Sequence, residues 1–223
     1  MNAHAGSCLP PGELRPRNIH EQFGNPTGPM GWLVGQVMAV KNAARSRWVL
    51  SLLRLESASD VLEVGFGSGV DVRRVARLAL SARVSGVDRS REMLRQARRR
   101  NAAGVAAGRV DLRPGSVEAL PFANATFDRA FSINSVQFWP DRRRCLRELR
   151  RVLRPGGLAV IAIQPRNKGA TAATSAEWRE RLEAEFLDAG FTAIHGLLRD
   201  ARPVPVACVV GEVASDPELA ATL

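Results

Sequence analysis

The stretch VLEVGFGSGVDVRR, residues 61–74, constrains this chain more than any other. Val61, Leu62 and Val64 form a short apolar run of the kind that makes a buried strand. Gly65, Gly67 and Gly69 follow at every second position, and Val72, Val75 and Ala76 then begin a helical period. The order is strand, glycine loop, helix. Glycine is wanted in such a loop because the turn needs backbone angles that other residues resist, and because a ligand can approach closely only where no Cβ intervenes. The helix that follows turns its unpaired N–H groups and the positive end of its dipole toward whatever lies over the loop.

A dinucleotide fingerprint, G-x-G-x-x-G, would need its third glycine at position 70, which is Val70. The spacing here is G-x-G-x-G, led by Glu63 two residues before the first glycine. This resembles the first motif of the class I S-adenosylmethionine (SAM)-dependent methyltransferases, in which the loop packs against the methionine half of the cofactor. A bare tight turn is the structural alternative, so the rest of the chain decides.

A second strand, RVSGVD, is expected to end at Asp88. An acid there, about 20 residues past the loop, is placed to accept from both ribose hydroxyls of an adenosyl group, which fits SAM and NAD equally. Ser90 is expected to cap a helix running to Arg100. After a third strand, RVDLRPG, the run from Ser116 to Phe122 is similar to the family segment D-A-E-x-L-P-F, where an Asp side chain and the next backbone N–H hold the adenine edge. Ser116 stands at the Asp position, a departure that predicts a weaker or water-mediated contact. A fourth strand, Arg129–Ile133, leads to Asn134, Gln137 and Trp139 at the ligand-collecting end of the sheet, with Phe138 anchoring the next helix. The helix from Arg142 to Arg154, the turn Pro155-Gly156-Gly157 and the strand LAVIAI are the most specific signature, similar to the family's L-x-P-G-G. A helix near 175–189 with Gly190 at its end, and strands near 191–197 and 204–213, complete the pattern.

The resemblance covers about residues 45–213 and implies an α/β fold: a doubly wound, mostly parallel seven-stranded sheet, its last strand antiparallel, with helices on both faces. It implies SAM as cofactor, with Glu63, Gly65, Gly67, Gly69, Asp88, Arg89, Ser116, Val117 and Asn134 around it. Residues 1–44 read as an extension, partly disordered and then helical, and 214–223 as a tail. Of the small-molecule type within the family, the chain is expected to act on a partly apolar or aromatic metabolite.

The net charge of +10 raises a nucleic-acid alternative. Six arginines against one acid between Arg89 and Arg100, and seven against one between Arg142 and Arg154, account for all of it. Both segments are amphipathic, with Leu94 and Ala97, then Leu146, Leu149, Val152 and Leu153, on their inner sides, so their arginines read as solvated faces. Cys8, Cys145 and Cys208 are widely spaced and without nearby histidines, which supports neither a disulfide framework nor a metal site. No apolar run reaches the length of a membrane span and no secretory leader is visible, so the expected compartment is the cytoplasm.

Transfer from a sulfonium needs positioning and desolvation more than acid–base help, and no catalytic dyad is visible. The chain has no Tyr, and its histidines are His4, His20 and His195. The family core leaves the acceptor side open, so residues about 18–41 are expected to cover it, with His20, Trp32 and Met38 joining Gln137 and Trp139 around the substrate. A SAM-binding module without catalysis is the remaining alternative.

Overall fold

A computed structural model of the chain describes residues 43–55, 59–79 and 81–215. The expected N-terminal cover, with His20, Trp32 and Met38, lies outside the described residues, as does most of the tail. The described strands are β1 (Val61–Val64), β2 (Val84–Asp88), β3 (Val110–Pro114), β4 (Phe127–Ile133), β5 (Leu153–Ile163), β6 (Thr192–Arg199) and β7 (Val206–Glu212). They form one seven-stranded sheet in the order β3-β2-β1-β4-β5-β7-β6. Val61 of β1 faces Val84 on one side and Arg129 on the other, both in parallel register. β7 is antiparallel to both neighbours, as expected of the last strand. A strand between two parallel partners carries helices above and below, and all four residues of β1 are buried, Glu63 included.

The described helices are α1 (Ala43–Leu52), α2 (Val70–Leu78), α3 (Arg91–Arg100), α4 (Ala102–Ala106), α5 (Arg142–Val152) and α6 (Ala172–Asp188). Residues alternate across β5, so Val160 and Ala162 join Val49, Val72, Val75 and Leu94 from α1, α2 and α3 in one core. Ile161 and Ile163 join Leu146 and Leu149 of α5 and Leu182 and Phe186 of α6 in the other. The two arginine-rich helices therefore lie on opposite faces. Arg91, Arg95, Arg98 and Arg99 of α3 are exposed on one, and Arg143, Arg144, Arg147 and Arg150 of α5 on the other, so the two do not merge into one basic stripe. Among the described residues no helix is long and apolar enough to cross a membrane.

Local signals account for the boundaries. The Ser90 hydroxyl accepts from Met93 N (3.3 Å) to start α3, and an Asp141 carboxylate oxygen accepts from Arg144 N (3.0 Å) to start α5. The helix expected to reach Arg154 stops instead at Val152, because Leu153 already pairs with Phe127 of β4. The next pairing joins Arg129 to Leu158, so Arg154-Pro155-Gly156-Gly157 loops out between two paired stretches of one strand. Gly156 takes a left-handed φ of 73° there. On α1 the buried side is Arg45, Ser46, Val49 and Leu50, while Trp48 and Leu52 lie only at the margin of the core. Two polar residues on the buried side of a helix call for an explanation, and it lies in the site they border.

Candidate active site

A cleft of about 190 Å³ opens at the carboxyl ends of β1, β2 and β4, where ligands collect in open α/β sheets. Eight of the nine residues expected around the cofactor line it: Glu63, Gly65, Gly67, Asp88, Arg89, Ser116, Val117 and Asn134. The ninth, Gly69, does not. It caps α2 with a left-handed φ of 73°, and a Cβ there would meet Ala97 Cβ of α3 at 2.6 Å. Gly65 is tight for another reason, since its Cβ would fall 2.4 Å from the Ser135 side chain. At Gly67 a Cβ would meet no atom within 4 Å. Among the three loop glycines, Gly67 alone leaves its space open to the cleft.

The charged groups of the cleft are arranged around that loop. Asp88 holds it from β2, its Oδ2 accepting from Gly67 N (2.8 Å) and its Oδ1 from Ser90 N (2.8 Å). Burial raises the Asp88 carboxyl above its ordinary value, against the pull of those two N–H groups. Glu63 is 3% exposed, and its Oε2 has no hydrogen-bond partner. Burial first, then the nearby Asp71 and Asp88, push its carboxyl well above the usual range. An orphaned buried oxygen facing a cleft is where a cationic ligand group fits.

α1 supplies a wall that the sequence did not reveal. Ser46 Oγ donates to Asp71 Oδ2 (2.8 Å), and Asp71 also pairs with Arg74; all three line the cleft. Arg45 is 7% exposed, donates from Nη1 to Gln164 Oε1 (2.8 Å), and leaves Nε without a partner. Burial, then Arg166, lowers its guanidinium to about 10. No local motif marks these residues; the i, i+1 pair of polar residues amid Trp48, Val49 and Leu50 was the available signal.

The β4 end differs from expectation in its aromatics. Trp139 is 6% exposed, with its indole N–H donating to Ser135 Oγ (2.9 Å), whereas Phe138, expected as the anchor, is 37% exposed at the cleft. Gln137, expected at the substrate, is exposed, donates to Asn134 O (3.0 Å) and does not line the cleft. Asn134 adopts a left-handed φ of 55°, its Oδ1 accepting from Gln164 N (2.8 Å) and so tying the ends of β4 and β5 together. A strained non-glycine residue of this kind is common at functional sites. Ser116 Oγ accepts from Glu118 N (3.3 Å) and bonds weakly to the Glu118 carboxylate (3.4 Å).

A family model described as a methyltransferase domain matches residues 62–161. The chain is 29% identical over 180 residues to the uncharacterized methyltransferase YdaC of Bacillus subtilis (strain 168), covering 81% of this chain and 97% of that one. It is 34% identical over 119 residues to the ubiquinone/menaquinone biosynthesis C-methyltransferase UbiE of Geotalea daltonii, covering 52% of this chain but only 49% of that one. It likewise spans under half the length of several O-methyltransferases that it matches. A SAM-dependent methyltransferase from Aquifex aeolicus superposes with a TM-score of 0.61 at 19% identity, over 76% of this chain and 89% of that one. The sheet order, the open glycine loop and these matches agree: residues 62–161 form a methyltransferase domain on the class I fold, and the comparisons support a SAM-dependent methyltransferase.

Proposed function

We propose that this enzyme methylates a small, partly apolar or aromatic metabolite. The observation that carries the reading is the division of the cleft. Charged and hydrogen-bonding groups gather around the glycine loop, while Ile133, at the end of β4, and Phe138, Trp139 and Pro140, beyond it, also line the cleft. The relative named for quinone biosynthesis supports an acceptor of that character.

Bound SAM supplies a methyl group on a sulfonium that needs no further activation. In this reading the chain's own groups position and desolvate. Glu63 Oε2 accepts from the α-ammonium, and Arg45 Nε donates to the α-carboxylate. Asp88 accepts from the ribose hydroxyls, and Gly67 leaves room for the cofactor's close approach. Ser116 and the Val117 N–H face the adenine edge, with Arg89 beside them. Ile133 and Phe138 exclude water from the acceptor.

Calorimetry with S-adenosylhomocysteine should show binding, and Asp88→Ala should weaken it at least about tenfold through lost charge-assisted bonds. Unchanged affinity would remove Asp88 from the site. Incubating metabolite pools with labelled SAM should place label in a small molecule; label found only in RNA would reassign the acceptor. The proposed cover belongs to the same reading. Deleting residues 1–41 should cut methyl transfer sharply while leaving homocysteine affinity within about tenfold, since the loss falls on acceptor positioning. Full turnover by the shortened enzyme would place the cover elsewhere.

A further inference from the structure

The connection from β3 to β4, residues 115–126, contains no helix. A segment of that length with little regular structure is uncommon inside a domain and is usually functional. It carries Ser116 and Val117 to the cleft, and its restraints outside α5 include a bridge between Ser116 and Ala119, the Ser116 Oγ contacts to Glu118, a turn bond from Phe122 N to Leu120 O (2.8 Å), Gly115 N donating to Asp88 O (3.1 Å) and Arg113 Nη1 donating to Pro121 O (2.6 Å).

The middle of the segment is held from α5 by a pair of charged residues. Leu120 N donates to Glu148 Oε1 (2.8 Å). Arg151 donates from Nη2 to Leu120 O (3.1 Å), and from Nη1 to Phe122 O (2.9 Å) and Asn124 Oδ1 (2.8 Å). Its Nε pairs with Glu148 Oε2 (2.8 Å). A planar guanidinium can reach these acceptors together, which an ammonium cannot. Each partner keeps the other ionised: the bond from Arg151 is the largest of the influences holding the Glu148 carboxyl below its ordinary range, and the bond to Glu148 raises Arg151. Neither residue lines the cleft.

Ser116 gives this clamp a role beyond stability. Adenine presents an amine donor beside the N1 acceptor, whereas hypoxanthine presents an oxo acceptor beside an N1–H donor. A carboxylate at position 116 could only accept and would reject hypoxanthine unaided. A serine hydroxyl both donates and accepts, and the long Ser116 contacts to Glu118 (3.3 and 3.4 Å) leave it able to turn to suit either base. Discrimination then falls to the Val117 backbone N–H, which can only donate and whose position is set by the backbone of the loop.

We propose that Glu148 and Arg151 are positioning residues that act through this loop to give the enzyme its preference for an adenine-bearing cofactor. The inference deepens the cofactor reading above and rests on it. Its test is calorimetry of S-adenosylhomocysteine against S-inosylhomocysteine, with the wild type, Arg151→Met and Glu148→Gln. The wild type should favour the adenosyl ligand by at least about tenfold, and Arg151→Met should lose most of that ratio while still melting cooperatively. General destabilisation lowers a melting temperature but does not change the ratio of two ligand affinities in the folded protein. Glu148→Gln keeps an acceptor for Leu120 N while weakening the grip on Arg151, so it should show a smaller loss of the same kind, and it decides the matter if Arg151→Met does not fold. A wild type without base preference would overturn the adenine assignment and the clamp together. A wild-type ratio retained in the folded variants would overturn the clamp alone.

Discussion

Gly67→Val is expected to leave a folded protein that binds S-adenosylhomocysteine at least about a hundredfold more weakly. The backbone at Gly67 has a φ of 52°, and a Cβ there has open space around it. The substitution therefore strains one residue, at a cost on the order of 2 kcal/mol, while its Cβ meets no protein atom. That is small against the roughly 5–15 kcal/mol that stabilises a domain. Its methyl groups instead occupy the space through which a ligand would approach the loop. Gly69→Val supplies the contrast. There the new side chain drives into Ala97, with Cβ at 2.6 Å and Cα at 2.9 Å, so the α2–α3 packing must give way. Thermal melts followed by circular dichroism should be cooperative for Gly67→Val and strongly lowered for Gly69→Val. Wild-type ligand affinity in Gly67→Val would show that the cofactor does not pass over this glycine.

Glu63→Gln should change stability and binding in opposite directions. The folded-state carboxyl sits well above 4.5 because it is buried and faces Asp71 and Asp88. The folded protein thus keeps a proton that the unfolded chain has already released, and stability falls as pH rises from about 4.5 through the folded value. Glutamine has no such proton to lose. The ligand-free variant should therefore melt above the wild type near neutral pH, with the difference closing toward pH 4. Binding reverses the sign, because the α-ammonium needs a carboxylate. Losing a charged hydrogen bond worth roughly 1.5–3 kcal/mol should weaken homocysteine binding about ten- to a hundredfold. Wild-type affinity should also decline as pH falls through the Glu63 value, with proton release on binding visible as buffer-dependent heats, and the variant should show neither effect. A variant less stable than the wild type that binds equally well would place Glu63 outside the ligand site.

Short-range signals carried most of the fold. Strand, glycine loop and helix are contiguous, Ser90 lies next to the helix it caps, and the R-P-G-G turn lies within its own strand. The helix end at Val152 is not legible locally, because the Phe127–Leu153 pairing that stops it joins residues far apart in the chain. The site divides along the same line. Glu63, Gly67 and Asp88 sit where local motifs point, whereas Arg45 reaches the cleft only because α1 folds back over β5 and meets Gln164, a contact across 119 positions. Phe138 ends the short turn Val136–Phe138, and Trp139 follows it directly. Which of them is buried depends on the Ser135 hydroxyl that takes the indole N–H, a choice that apolar patterning does not encode.

The insertion of β7 between β5 and β6 bears on how the chain is made. During synthesis β6 leaves the ribosome before the strand that will hold it, and its pairing in the finished sheet is with β7. Until residues 206–212 have emerged, β5 keeps an open edge and β6 has no hydrogen-bonded neighbour. The amino-terminal strands can assemble from nearby contacts as they appear, but the last third of the sheet closes in one late step. A nascent chain stalled before Val206 therefore lacks two strands rather than one, and it exposes the apolar edge of β5 to its neighbours on the polysome.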